Sequence, residues 1–202
     1  VSEIRVIGMA PKHIDSVVAL QRACFPPPFP KSSLWRSEHL RRHLEVFPAG
    51  QLVAVQDGRV VASASAAIID EDTWQAHLGW EETLGGFEFN HHDPGGTTLY
   101  GADISVHPDH RGKGVGRALY KRRFEIVREI GLARFGTACR MPDFRGSGRA
   151  LHEYVLAVLS GAANDRTLTP LLRCGLNLLG VIEEYMPDDE SGNAAALLEW
   201  RP

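Results

Sequence analysis

The segment Val106-His107-Pro108-Asp109-His110-Arg111-Gly112-Lys113-Gly114-Val115-Gly116-Arg117-Ala118-Leu119 constrains the fold of this 202-residue chain more than any other. Ahead of it, Thr97 to His107 reads as a strand; behind it, Val115, Leu119, Ile126 and Ile130 recur at helical spacing until Gly131 ends the pattern. Glycines at 112, 114 and 116 allow backbone torsions and close approaches that a Cβ would block. The first turn of the helix, from about Gly114, offers unpaired N–H groups carrying partial positive charge. A strand, a glycine-rich corner and a helix N-terminus together make an anion cradle.

Phosphate cradles come in several kinds, and spacing separates them. A Walker loop requires Gly at 107 and Ser or Thr after Gly-Lys, yet His107 and Gly114 occupy those places. A dinucleotide fingerprint built on Gly112 and Gly114 requires a third glycine at 117, which is Arg.

The remainder of the chain reads as alternating elements of an α+β domain. Val1 to Ile7 suits a first strand, and Pro11 opens a helix carrying Ile14, Val17, Val18 and Gln21. The prolines between Cys24 and Pro30 enforce a loop. Ser32 or Ser33 is then expected to cap a second helix with Leu40 and Leu44, stopped by Pro48 and Gly50. Asp57-Gly58 between Gln51–Gln56 and Arg59–Ile69 signals a hairpin, since both residues tolerate positive φ. Residues 70 to 96 show no clean period and read as an elaborated connection. Arg134–Arg140 follows as a strand, then helices over Glu153–Leu159 and Leu168–Arg173, then strands over Asn177–Tyr185 and Ala194–Trp200. Runs of strands and helices in this order predict a mixed sheet rather than a repeating parallel one, and nothing marks a boundary within 1–202.

Bulk properties exclude some function classes. A net charge of -3 provides no broad basic field for nucleic acid or a membrane surface. No apolar run reaches spanning length and the first residues do not read as a signal peptide, so a cytoplasmic location is expected. Cys24, Cys139 and Cys174 form neither a disulfide framework nor a CxxC site.

Arg111, Gly114 and Gly116 match the R/Q-x-x-G-x-G/A signature of the GNAT superfamily of N-acetyltransferases, and the flanking Val-His-Pro and Arg-Ala-Leu also resemble that family's coenzyme motif. The resemblance implies a mostly antiparallel twisted sheet flanked by helices, with a pair of strands splayed around acetyl-CoA as co-substrate and no metal. Ile104, Ser105 and Val106 would face the pantetheine arm; Arg111, Gly112, Lys113, Gly114, Val115, Gly116 and Arg117 would hold the pyrophosphate. Ala133–Arg140 resembles the strand that splays away. Lys121, Arg122 and Arg123 extend a local basic region, or form a solvated helix face. Glu153-Tyr154-Val155, the segment Leu172 to Leu176 and the closing Leu198-Glu199-Trp200 resemble a subgroup sometimes joined to a nitrilase-like carbon-nitrogen hydrolase domain. Family habit implies a homodimer.

Transfer of acetyl to a small-molecule or peptide amine needs a base, a stabilised oxyanion and a proton for the thiolate. Asp103, on the coenzyme strand, is the first candidate base, with Glu88, His91 and His92 as alternatives. Family members commonly place a tyrosine where this chain has Leu171, so Tyr154 is the candidate substitute acid, ahead of Tyr185, with solvent protonation also open. That departure also motivates a rival reading as a catalytically inactive acyl-CoA-binding module. His39 and His43 share zinc-ligand spacing without the accompanying glutamate. Trp74, Trp80, Phe87 and Phe89 are candidate walls of an acceptor pocket.

Overall fold

A computed structural model describes residues 3–202; Val1 and Ser2, which open the expected first strand, lie outside the described residues. One seven-stranded sheet runs β1-β2-β3-β4-β5-β7-β6. Its strands are β1 (Arg5–Gly8), β2 (Leu52–Gln56), β3 (Arg59–Ile69), β4 (Thr98–Val106), β5 (Arg134–Arg140), β6 (Asn177–Ile182) and β7 (Ala195–Trp200). Asp57 and Gly58 turn the β2–β3 hairpin with φ of 50° and 73°, the conformation that sequence pair permits.

The helices are α1 (Ile14–Cys24), α2 (Ser37–Val46), α3 (Glu71–Ala76), α4 (Trp80–Leu84), α5 (Val115–Ile130), α6 (Leu151–Leu159) and α7 (Leu168–Arg173). Leu119, Ile126 and Val127 of α5 pack on one side of the sheet with Tyr154 and Leu168, whereas Val17, Leu40, Trp35 and Trp80 belong to a second core cluster. Phe135 on β5 is fully enclosed, a burial that contributes about 2–3 kcal/mol.

Among the described residues every strand pair is antiparallel except β4 with β5, and this exception positions the site. Their parallel pairing holds at Thr98, Leu99 and Tyr100 against Arg134, Phe135 and Gly136, and then stops. Past that point β5 continues its ladder only on its other side, pairing β7 through Arg140. Next to the divergence, the β3–β4 register shifts between Ser65/Asp103 and Ala66/Gly101, so Ala102 is an extra residue on β4.

Three expectations need correction. The second helix does not start at Ser32 or Ser33: residues 31–33 form a single tight turn, and α2 begins at Ser37, where extended Arg36 donates its N–H to His39 Nδ1. The connection from 70 to 96 contains α3, capped by Asp70 accepting from Thr73 N, and α4, ended by left-handed Gly85. These helices are six and five residues long, too short to display a period. β6 ends at Ile182 rather than Tyr185, and Tyr185 instead bonds through its main chain to Asn193.

Candidate active site

The glycine corner folds as its sequence requires. Pro108 to His110 make one 3₁₀ turn, then Gly112 and Gly114 take φ of 72° and 82°, a region costly for residues with a Cβ. Gly114 is the N-cap of α5, with no side-chain cap and no acidic residue in the first turn, so the helix N-terminus stays electropositive and open. A Cβ built on Gly112 or Gly114 meets no atom within 4 Å, and one on Gly116 meets only Val106 Cγ2 at 3.9 Å. Side-chain packing therefore does not demand these three glycines; the left-handed torsions account for Gly112 and Gly114, and at Gly116 the main chain is left open to the cleft.

The corner opens into a cleft of about 1420 Å³ that follows the wedge between β4 and β5. That volume exceeds the usual range for one small ligand, roughly 300–1,000 Å³. Ile104, Ser105, Val106, Gly112, Gly114, Val115, Gly116 and Arg117 all line it. Arg111 also lines it, but its side chain braces the corner: Nε donates to Val106 O at 3.1 Å and Nη2 to Cys24 O at 3.4 Å. Its own N–H is already bonded to Pro108 O. Lys113 turns away, donating Nζ to Asp109 O at 2.7 Å.

Half-buried Asp103 stands where the wedge is widest in chemistry. Its Oδ2 accepts from Gln21 Nε2 at 3.0 Å and Ser105 Oγ at 3.1 Å, and Gln21 Nε2 also reaches Ser105 Oγ at 2.8 Å. Desolvation raises the Asp103 pKa, opposed by Ser105, by the Arg123 charge, by Trp35 and by Gln21. Trp35, 5% exposed, lines the same cleft and faces the Asp103 carboxylate. Neither Gln21 nor Trp35 is marked by the sequence as part of a site. Gln21 carried a signal, a polar residue in register with Ile14 and Val17 on the inward face of α1; Trp35 carried none.

Tyr154 does not reach the cleft. Its hydroxyl donates to Asp165 Oδ2 at 2.7 Å and its ring lies beside Phe144. Burial followed by the Asp165 carboxylate pushes its pKa up, away from easy proton release. Asp165 in turn accepts from the N–H groups of Thr167 and Leu168, so this tyrosine ties α6 to the start of α7. Leu171 occupies part of the cleft wall, as does Tyr185, whose hydroxyl is bonded to Tyr100 at 2.9 Å.

The alternative bases are likewise employed elsewhere. His91 Nδ1 is bonded to Glu82 O, His92 Nδ1 accepts from Ile68 N, and Glu88 is exposed away from the cleft. His39 Nδ1 accepts from the Arg36 N–H, while His43 stacks on Phe89 at 3.7 Å and bonds Phe87 O at 2.7 Å. Trp80 and Phe87 line the cleft, but Trp74 and Phe89 fill the core. Cys24 lines it too; burial, then Asp103, pushes its thiol up to about 11, so it is protonated at neutral pH.

The basic run on α5 divides three ways. Lys121 is exposed, Arg122 grips Glu129 at 2.6 and 3.0 Å, and Arg123 is 1% exposed, turned inward to the sheet. Arg123 is no solvated face; it is buried at the floor of the cleft beside Gly101 and Asp103.

The model of the acetyltransferase (GNAT) family matches residues 14–154, a span containing the cradle, the wedge strands and Asp103. The chain belongs to the GNAT family. Its sheet and splayed strands are those of GNAT proteins, and among solved structures it is similar to the GphF GNAT-like decarboxylase in complex with isobutyryl-CoA, with a TM-score of 0.83, 24% identity and 98% of each chain covered. By sequence it is 35% identical over 190 residues to the uncharacterized N-acetyltransferase YkwB of Bacillus subtilis, covering 93% of this chain and 84% of that one. It is also 32% identical to the probable hydrolase YhcX of the same organism; that match takes in 94% of this chain but 37% of YhcX. As a GNAT acetyltransferase-family chain with a named N-acetyltransferase relative, the protein is an acyltransferase-type enzyme.

Proposed function

We propose that the protein transfers acetyl from acetyl-CoA to the primary amine of a small molecule or peptide, by direct attack within a ternary complex. One observation carries the reading: an open helix N-terminus, a splayed strand pair and a hydrogen-bonded carboxylate share one continuous cleft. The main-chain N–H groups from Gly112 to Arg117 would take the pyrophosphate, with Arg117 adding charge. Ile104 to Val106 would run beside the pantetheine arm, bringing the thioester to the widening of the wedge.

Asp103 would accept the proton that the attacking amine must lose, directly or through water. Burial raises the Asp103 pKa from the usual carboxylate range towards working pH, as suits a base. The amine nitrogen bonds to the thioester carbon, the oxyanion faces a β4 amide near Val106, and collapse expels the thiolate. Leu171 has no donor, Tyr154 lies outside the cleft and the Tyr185 hydroxyl is bonded to Tyr100, so solvent would supply the proton to that sulfur.

The same missing donor favours a second reading. Decarboxylation of an acyl-CoA bearing a β-carboxylate breaks a carbon–carbon bond, releases CO₂ and protonates the thioester enolate, leaving sulfur bonded throughout. No thiolate acid is then needed, and GphF, similar over nearly the whole chain, is described as a decarboxylase.

One assay separates the two. Acetyl-CoA with an amine panel is expected to give free thiol and acetylated amine, while Asp103→Asn removes the acidic arm of the pH–rate profile. Thioester-retaining CO₂ release from malonyl-CoA, with no thiol from any amine, would establish the second reading and refute the first.

A further inference from the structure

Arg123 is an unusual residue to find at the centre of a sheet. A fully desolvated guanidinium is costly, and such a charge is usually matched by a carboxylate in contact. Here its partners are main-chain carbonyls and ring faces. Nη2 donates to Ser65 O at 2.8 Å and to Asp103 O, while the guanidinium lies 5.4 Å from the centres of both Tyr120 and Phe135. Nε has no partner. Those two carbonyls flank the register shift where Ala102 is inserted into β4. The neighbouring position is Gly101, where an added Cβ would stand 2.7 Å from Phe135 and 3.3 Å from Arg123 Nη1.

We propose that Arg123 is a positioning residue: from α5 it clamps the β3–β4 irregularity that opens the wedge, and it sets a positive charge beside the Asp103 carboxylate. The inference rests on the reading of Asp103 as the base. The irregularity leaves carbonyls of Ser65 and Asp103 that regular pairing would satisfy differently, and one cation holding both fixes the strand's bend. The bend in turn decides where the Asp103 side chain and the β4 amides point.

The electrostatic half follows from what surrounds the carboxylate. Gln21 and Cys24 face it from α1, Ser105 from β4 itself, Trp35 from the segment ahead of α2, and Tyr120 with Arg123 from α5. Cys24 and Tyr120 are neutral at physiological pH because burial raises both. Arg123 supplies the cation that offsets part of Asp103's desolvation. Removing that charge must raise the pH at which Asp103 ionises.

The test reads Asp103 directly in the full-length chain, by ¹³C NMR titration of its carboxyl, beside the pH–rate profile of thiol release. Arg123→Met removes charge and donors while filling the space, an exchange that buried ion sites commonly survive. Arg123→Gln removes the charge but keeps an N–H for the carbonyls, and serves if the methionine variant fails to fold. In both neutral variants the Asp103 midpoint is expected to rise by at least about one pH unit, a tenfold change in proton affinity. The acidic arm of kcat/KM should move with it. At pH above that arm, kcat should fall about tenfold in the methionine variant with KM for acyl-CoA within about twofold. The glutamine variant should recover part of this loss, and Arg123→Lys should restore the midpoint. An unmoved Asp103 midpoint in the neutral variants overturns the proposal. If Asp103→Asn instead leaves the acidic arm in place, the assignment of the base fails, and the NMR titration still decides the role of Arg123.

Discussion

Gly116→Glu separates the two properties of the glycine corner, because fold and coenzyme binding should move in opposite directions. Gly116 is the second residue of α5, has ordinary helical φ, and a Cβ there would touch only Val106 at 3.9 Å. The fold has room for the substitution. Glutamate in place of glycine gains helix propensity, and its charge complements the N-terminal dipole, together worth about 1 kcal/mol. For a chain of this size that raises the apo Tm by about 2–4 °C. The same carboxylate stands in the cradle. At ~6 Å and an effective dielectric of ~20, each phosphate charge meets about 3 kcal/mol of repulsion, enough to weaken binding at least ~100-fold. With acetyl-CoA at ~100 Kd the native protein gains about 2.7 kcal/mol, whereas the variant at that concentration gains about 0.4 kcal/mol. Differential scanning fluorimetry would therefore show a coenzyme shift of several degrees in the native chain and about 1 °C in the variant. A retained shift would refute the cradle. A collapse of the apo Tm would refute the claim that this glycine is free of packing duty.

Tyr154→Phe should leave kcat within about twofold while costing about 1–2 kcal/mol in urea unfolding, since its hydroxyl bonds buried Asp165 rather than the cleft; a large loss of kcat would return it to the mechanism. Burial, outweighing a bond to Phe87 O, lowers the His43 pKa to about 4. Because the unfolded imidazole binds protons more readily, stability should fall as pH drops from about 6.5 towards 4, by at most order 3 kcal/mol. His43→Phe, which keeps a ring against Phe89, should flatten that window; an unchanged pH–stability curve would count against it. Asp103→Asn is expected to lower kcat at least ~100-fold at neutral pH without changing coenzyme stabilisation, and equal losses in both would mean it only shapes the strand.

The corner and the wedge were legible because local chemistry writes them. Three glycines in alternation have few uses, and Gly112 and Gly114 do adopt the left-handed torsions that only glycine takes cheaply. The long helix declared itself through Val115, Leu119 and Ile126, all buried. What stayed hidden depends on contacts distant in sequence. Gln21 meets Asp103 across 82 residues, and nothing local to either announces the pair. Arg123, between Arg122 and Phe124, looked like part of a basic stretch, and only the bulge opposite explains its inward turn. Tyr154 misled because a missing tyrosine at Leu171 invites a substitute, whereas Asp165 had already claimed its hydroxyl. The late start of α2 traces to Arg36 and His39 forming the cap that Ser32 and Ser33 were expected to supply.

The central claim is that main-chain hydrogens at the start of α5 receive the coenzyme's linked phosphates, and backbone amide NMR observes those hydrogens individually. Titrating the ¹⁵N-labelled protein with desulfo-CoA should move the amide protons of Gly112, Gly114 and Gly116 downfield together, with Lys113→Ala leaving the pattern intact because that side chain turns away. Saturable binding that leaves those three resonances in place while shifting others would contradict the account.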